Sequence, residues 1–258
     1  MRNVTDSSGS APAQTVTKTP LSFNARHILA ISLDLDDTLW PVLPTLIQAE
    51  KTLKVWLTEH APATAGRLTP EARAHWRNAV VARHPERAHD MSFIRLQLLR
   101  DAISDAGEDP ALADEAFEVF LAARQEVTLF DDVRPVLERW QAQVSLIAIS
   151  NGNADLDRIG LGAWFSVKIS AHEVGMAKPD PRIFALASEQ AGVRPEQILH
   201  IGDNLEVDCL AARSAGFGAA WLRRPELAQN DEPGDQEPEH AFKSLHEIDL
   251  TLRTKTKT

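Results

Sequence analysis

The 258-residue chain is poor in several things that would decide its class. It has one cysteine, Cys209, so no intrachain disulfide can form and no cysteine metal site is available, which fits a reducing cytoplasm. That thiol reads as an inert core group. No window holds the roughly 18 apolar residues that span a bilayer, and the N-terminus lacks the short apolar block of a secretory signal. A cytoplasmic protein without a membrane partner is therefore expected. Positive charge is scarce as well: 27 Lys and Arg stand against 37 Asp and Glu, a formal net charge of −10. Nucleic acids and anionic membranes both reward a basic face, so neither is an expected partner. Any anionic substrate must be caught by a local positive site. No internal repeat recurs at a solenoid period, and nothing specifies an oligomeric state.

What is present is an ordinary globular apolar fraction, 43%, distributed in short runs. Residues 28–33, "ILAISL", form a run of the kind buried on both faces of a parallel sheet. Similar runs stand at 144–149, 198–201 and 218–222. Helical patterns lie between the later ones: Leu156 and Ile159, then "PRIFALASEQAG" stopped at Gly192, then "LEVDCLAARSAG" stopped at Gly216. This alternation predicts an α/β fold with a doubly wound parallel sheet, built from residues 25–40 and 128–250.

Residues 41–127 read differently. Four amphipathic patterns and no convincing strand occupy 45–126. The first stripe holds Leu46, Ala49, Leu53, Trp56 and Leu57. The second opens with Thr69 as N-cap and Pro70 behind it, the third carries Phe93, Leu96, Leu99 and Ile103, and the fourth follows Asp109-Pro110. A helical insertion after the first strand is expected, either a separate bundle or a lid over what that strand presents. Residues 1–24 are rich in Ser, Thr, Ala and Pro and read as a disordered leader, 225–240 as a solvated acidic loop, and 251–258 as a frayed tail.

In an open α/β sheet, ligands bind beyond the carboxyl ends of the strands. Asp34 and Asp36 follow the first run; Ser150, Asn151 and Gly152 follow the second; Asp203 and Asp208 follow the third; Lys178 stands in the intervening "GMAKPDP". Carboxylates gathered at one edge repel unless a cation sits among them, and hard Mg²⁺ takes oxygen ligands. Asp34 and Asp203 are the first candidates to hold it. Lys178 and the Ser150 hydroxyl would neutralise the rest of a phosphate. In extended backbone Asp34 and Asp36 would point to the same side. One could then attack phosphorus while the other protonates the leaving oxygen. A small phosphorylated metabolite is the expected partner.

"DLDDT" at 34–38, "SNG" at 150–152, Lys178 and "GDNLEVD" at 202–208 resemble, in order, the four motifs of the haloacid dehalogenase superfamily. The resemblance spans residues 28 to about 248. It implies that Asp34 is the nucleophile that becomes an aspartyl-phosphate, and that Asp36 protonates the leaving group and later activates water. It implies Mg²⁺ ligands from Asp34, the main-chain carbonyl of Asp36 and Asp203, with Asp208 supporting the metal or Lys178. Ser150 and the Asn151 amide would bind the transferring phosphoryl group. The insertion matches the family's helical cap, and an acid two places past the nucleophile favours phosphate esters over halides. "ISLDLDDTLW", "NGNADL", "GLGAWF" and "HDMSFIRLQLL" further resemble a bacterial subgroup that dephosphorylates flavin mononucleotide and 5-amino-6-(5-phosphoribitylamino)uracil. A phosphatase or phosphomutase for another metabolite, such as a sugar phosphate, and a non-catalytic binding protein are the alternatives.

Four further residues carry expectations. Asp37 reads as a turn or capping carboxylate, and Thr38 as a loop-orienting group. Trp40 either stacks on a substrate ring or wedges the hinge. Arg95 either reaches into the site from the insertion or is an ordinary solvated helix arginine.

Overall fold

The computed structural model describes residues 27–227 and 241–255. The leader at 1–24, most of the 225–240 loop and residues 256–258 lie outside the described residues. Within them the apolar runs become strands: β1 (Ala30–Leu33), β2 (Ser145–Ser150), β3 (Val167–Ser170), β4 (Ile198–Gly202) and β5 (Gly218–Trp221). All pair in parallel in the order β3-β2-β1-β4-β5. The doubly wound α/β fold is thus as expected, but β3 has no counterpart among the four apolar runs. It is an edge strand of four residues with Lys168 turned to solvent, so it offers two buried side chains rather than a run.

β1 lies in the middle. Leu33 stands level with Ala148 of β2 and Ile201 of β4, so the carboxyl ends of these three strands meet at one edge. Successive β1 side chains face opposite layers. Ile31 and Leu33 pack with Val136, Leu137 and Trp140, and with Leu245 and Ile248. Ala30 packs on the other face with Ile147, Ile183, Phe184 and Phe217.

The insertion contributes α1 (Val42–His60), α2 (Pro62–Arg67), α3 (Pro70–Arg83), α4 (Met91–Asp105) and α5 (Leu112–Arg124). Its own core sets Ala49, Leu53 and Leu57 of α1 against Leu98, Leu99 and Ile103 of α4 and Ala116, Phe117 and Phe120 of α5. Thr69 caps α3 as expected, its hydroxyl accepting the Ala72 N–H at 3.2 Å. The short α2 is additional to the four expected helical patterns.

Around the sheet lie α6 (Val133–Gln141), α7 (Leu156–Ile159), α8 (Ala171–Val174) and α9 (Pro181–Ala191). A π-helical turn at Leu205–Leu210 leads into α10 (Ala211–Ser214), and α11 (Leu245–Lys255) closes the described chain. Thr251 to Lys255, expected as a frayed tail, instead continue α11. Leu245 and Ile248 bury against α6, and Leu252 packs beside them, which gives the helix a docking face that "TLRTKTKT" alone does not display.

Candidate active site

Asp34 follows β1 directly, where its N–H still pairs with the Ile201 carbonyl at 2.9 Å. The residue is 8% exposed, and its carboxylate turns toward Lys178. The ammonium of Lys178, a residue only 4% exposed, donates to Asp34 Oδ1 at 2.5 Å and to Asp208 Oδ1 at 2.6 Å. Burial alone would depress this ammonium, but Asp34 and Asp208 outweigh it and hold it above its ordinary range. Burial raises the Asp34 carboxyl well above the usual range; Lys178 opposes that shift, and the charges of Asp208 and Asp203 add to it. Asp208 goes the other way: burial would raise it, and Lys178 with His200 holds it below the usual range.

The placement of Lys178 depends on Asn151. The Asn151 side chain donates to the Lys178 carbonyl and accepts the Lys178 N–H, both at 2.8 Å. Ser150 is buried at the end of β2, with its hydroxyl accepting the Gly152 N–H at 3.0 Å. Gly152 is needed for space, since a Cβ there would stand 2.6 Å from Asp36 Oδ2. Gly202 serves likewise, because a Cβ would lie 2.3 Å from Asp208 Cγ. The π-helical turn brings Asp208 beneath that glycine, where its Oδ2 also accepts the Asn204 N–H at 3.0 Å.

Among the described residues, Asp34, Asp203 and Asp208 form a set whose ligand atoms lie within 4.8 Å of one another. Burial, then the charges of Asp208 and Asp37, push the Asp203 carboxyl up to about 7. An all-oxygen set that repels itself when charged suits a hard divalent cation such as Mg²⁺. Asp208 already serves Lys178 and the Asn204 amide, which leaves Asp34 and Asp203 with the freer oxygens.

Asp36 does not join this set. Its carboxylate accepts from Trp40 Nε1 at 2.8 Å and from Arg124 Nη2 at 2.6 and 2.7 Å, and its Oδ2 lies against Gly152. Trp40 is wholly buried. With its indole N–H on Asp36 and no ring face exposed, its burial favours the wedge over stacking on a substrate ring. Arg95 faces a cavity of about 280 Å³ between the insertion and the sheet, shared with Asp36, Gly152, Asn153 and Arg124. There it pairs with Glu50 at 2.5 Å and lies 3.9 Å over the Phe120 ring, so it is not an ordinary solvated arginine. Asp37 behaves as a turn carboxylate, with φ 59° and an Oδ1 that accepts the Val42 N–H at 2.8 Å at the start of α1. Thr38 is buried, and its hydroxyl reaches Asp203 at 3.4 Å.

Two contributors went unnoticed in the sequence. Arg124 ends α5 and is 1% exposed, yet no motif marks it. His200 sits inside β4, meeting Ser32 Oγ at 2.8 Å through Nδ1 and Asp208 at 3.5 Å through Nε2. A histidine within an otherwise apolar strand, eight residues before Asp208, was the available signal for it.

This sheet, with a buried lysine and three carboxylates at its carboxyl edge, is the architecture of a hydrolytic enzyme. A model of the haloacid dehalogenase-like hydrolase family matches residues 28–216, and the chain belongs to that family. It is 32% identical over 201 residues to the 5-amino-6-(5-phospho-D-ribitylamino)uracil phosphatase YigB of Escherichia coli strain K12, covering 76% of this chain and 84% of that protein. It is 36% identical over 136 residues to a phosphoserine phosphatase of Thermus thermophilus, over 50% of this chain and 55% of that one. The crystal structure of a 2-haloacid dehalogenase from Pseudomonas syringae pv. Tomato DC3000 superposes with a TM-score of 0.80 at 35% identity, covering 88% of this chain and 99% of that one. No helix of the described residues is long and apolar enough to cross a membrane.

Proposed function

We propose that this phosphatase of the haloacid dehalogenase-like family hydrolyses a small phosphomonoester through an aspartyl-phosphate on Asp34. The observation that carries the reading is the buried Lys178 ammonium held between Asp34 and Asp208, with Asp203 beside them. Lys178 takes Asp34 Oδ1, and Oδ2 would be the oxygen that attacks phosphorus. The Ser150 hydroxyl and the amides of the 150–152 turn would hold the phosphoryl oxygens while Lys178 offsets their charge. Asp34, Asp203 and the Asp36 carbonyl would hold Mg²⁺, with Asp208 supporting through Lys178. Bound there, Mg²⁺ would supply charge neutralisation and alignment of the phosphoryl oxygens. Asp36 gives a proton to the departing oxygen and then takes one from the water that hydrolyses the acyl phosphate.

The insertion acts as the cap in this reading. The cavity between it and the sheet, where Arg95 and Asp36 meet, would receive the leaving group. The similarity to the ribitylaminouracil phosphatase, together with the sequence segments named above, favours a flavin-pathway phosphate such as flavin mononucleotide or the ribitylaminouracil phosphate. The site would work in the cytoplasm without a nucleic-acid or membrane partner.

A second reading, dehalogenation, is favoured by the name of the Pseudomonas syringae structure. Asp36 argues against it, because a halide leaves without a proton. The test is a panel with Mg²⁺ that includes flavin mononucleotide, the ribitylaminouracil phosphate, sugar phosphates, phosphoserine and 2-chloropropionate. Phosphate release, abolished by Asp34→Asn in folded protein, is the expected result. Halide release without phosphate release, or an Asp34→Asn variant that keeps most of its activity, overturns the reading.

A further inference from the structure

Arg124 is the unexplained residue of this molecule. It sits at the last turn of α5, 88 positions from Asp36 in sequence, and its side chain is 2% exposed. Its Nη2 donates to both Asp36 oxygens, while its Nη1 is buried without any hydrogen-bond partner. As a stabilising device this is poor: a buried ion pair gains little over apolar packing, and an orphaned donor costs more. The arrangement makes sense if the guanidinium is kept for what it does to Asp36.

The surroundings of Asp36 are asymmetric. Trp40 Nε1 donates only to Oδ1, at 2.8 Å. Oδ2 lies against Gly152, so closely that a Cβ there would stand 2.6 Å away, and it therefore faces the Ser150-Asn151-Gly152 turn where the phosphoryl group would bind. With Oδ1 anchored by Trp40, only Oδ2 is both next to that turn and able to give up its share of Arg124.

We propose that Arg124 is the positioning residue for Asp36: with Trp40 it holds Oδ1 and presents Oδ2, across Gly152, as the oxygen that carries the transferring proton. This rests on the phosphatase reading above. As the Asp34 oxygen bonds to phosphorus, the bond to the ester oxygen breaks, and its electron pair takes the proton from Asp36 Oδ2. Asp36 is left as a carboxylate that accepts from Arg124 on both oxygens, as seen here. Because Arg124 belongs to the insertion, the acid is aimed only while α5 is seated on the sheet, which links closure of the cap to proton transfer.

A positioning role for an acid has a signature that simple loss of structure lacks. A substrate whose oxygen leaves easily needs no proton, and one whose oxygen leaves poorly does. The experiment follows phosphoenzyme formation by rapid quench with a series of ring-substituted phenyl phosphates, from 4-nitrophenyl to unsubstituted phenyl, in wild type, Arg124→Met, Arg124→Lys, Trp40→Phe and Asp36→Asn. For Arg124→Met the rate with 4-nitrophenyl phosphate should stay within about threefold of wild type, and the rate with phenyl phosphate should fall on the order of a hundredfold. Arg124→Lys should recover part of that loss, and Trp40→Phe should show a weaker version of it. The ratio between substrates is unaffected by a folded fraction below one. An equal fall across the series, or no fall, in Arg124→Met while Asp36→Asn steepens it overturns the Arg124 assignment alone. A flat series in Asp36→Asn, with Asp34 still labelled, overturns the acid role of Asp36 and this inference with it.

Discussion

Asn151 and Lys178 grip each other twice: the side-chain amide of one donates to the main-chain carbonyl of the other and accepts its N–H, each at 2.8 Å. The amide bridges the two peptide units that flank the Lys178 Cα, which fixes the start of the lysine side chain and so the placement of its ammonium at Asp34. The residue after β2 thereby sets the charge that faces the nucleophile, across 27 positions of sequence. Asn151→Ala should leave the fold intact and lower turnover on the order of tenfold or more, with Asn151→Asp no better because it loses the donor. Steady-state kinetics beside a circular dichroism melt would check this; unchanged turnover would show that the lysine is held by other means.

Lys178 is the ammonium shared by two buried carboxylates. Lys178→Met should therefore remove activity and also destabilise the protein by about 3–5 kcal/mol at neutral pH, the cost of leaving a buried charge without its partner. In chelator, the deficit should shrink as pH falls and Asp34, whose carboxyl is already raised, takes up a proton. A Tm series against pH would read it, and a deficit independent of pH would contradict the electrostatic account.

Asp203 supplies a pH dependence of opposite use. Its folded pKa of about 7 lies above its unfolded value, so between roughly pH 4 and 7 the folded state binds more protons than the unfolded one. Stability is then fully present below the unfolded pKa and is lost as pH rises through the folded one. In chelator, wild-type Tm should decline between pH 5 and 7.5, and Asp203→Asn should flatten that decline and melt a few degrees higher at pH 7.5, as ~1 kcal/mol would give in a protein of this size. With saturating Mg²⁺ the order should reverse, because only wild type gains from binding. An Asp203→Asn protein that Mg²⁺ stabilises as much as wild type would remove Asp203 from the ligand set.

A buried pair behind the site supports the loop that carries the chemistry. Arg224 donates to both oxygens of Asp132 at 2.8 and 2.7 Å and to the Thr38 carbonyl at 3.2 and 2.8 Å, while Asp132 Oδ2 also accepts the Leu245 N–H that begins α11. Asp132→Asn should cost about 3 kcal/mol by stranding the buried guanidinium, and a double substitution to apolar residues should recover much of it. Thermal melts of the three variants decide it: a double variant no more stable than Asp132→Asn would mean that the contact with Thr38, rather than the pair, carries the effect.

Much of the site could be read from strand ends because parallel strands point one way. Residues that follow β1, β2 and β4 had to meet at one edge, and the chemistry of Asp34, Ser150, Lys178, Asp203 and Asp208 could be stated before their distances were known. β3 escaped notice because an edge strand buries one face only, so Val167 and Ile169 do not form a run. The partners of Asp36 were not legible for a different reason. Two-residue alternation says which way a strand residue faces but not which distant side chain reaches it, and Arg124 arrives from 88 positions away.

By itself the sequence determined the α/β class, the helical insertion after β1 and the acidic edge with its one lysine. Periodicity and run length are local properties, and a parallel sheet converts them into position with little freedom. Only the tertiary structure decided that Trp40 is wholly buried, that Arg95 pairs with Glu50 in the cavity, and that Arg124 reaches Asp36. Each of these depends on how the helices of the insertion pack on one another or back onto the sheet. Side chains tens of residues apart then compete for the same carboxylate, and no local pattern records which of them reaches it.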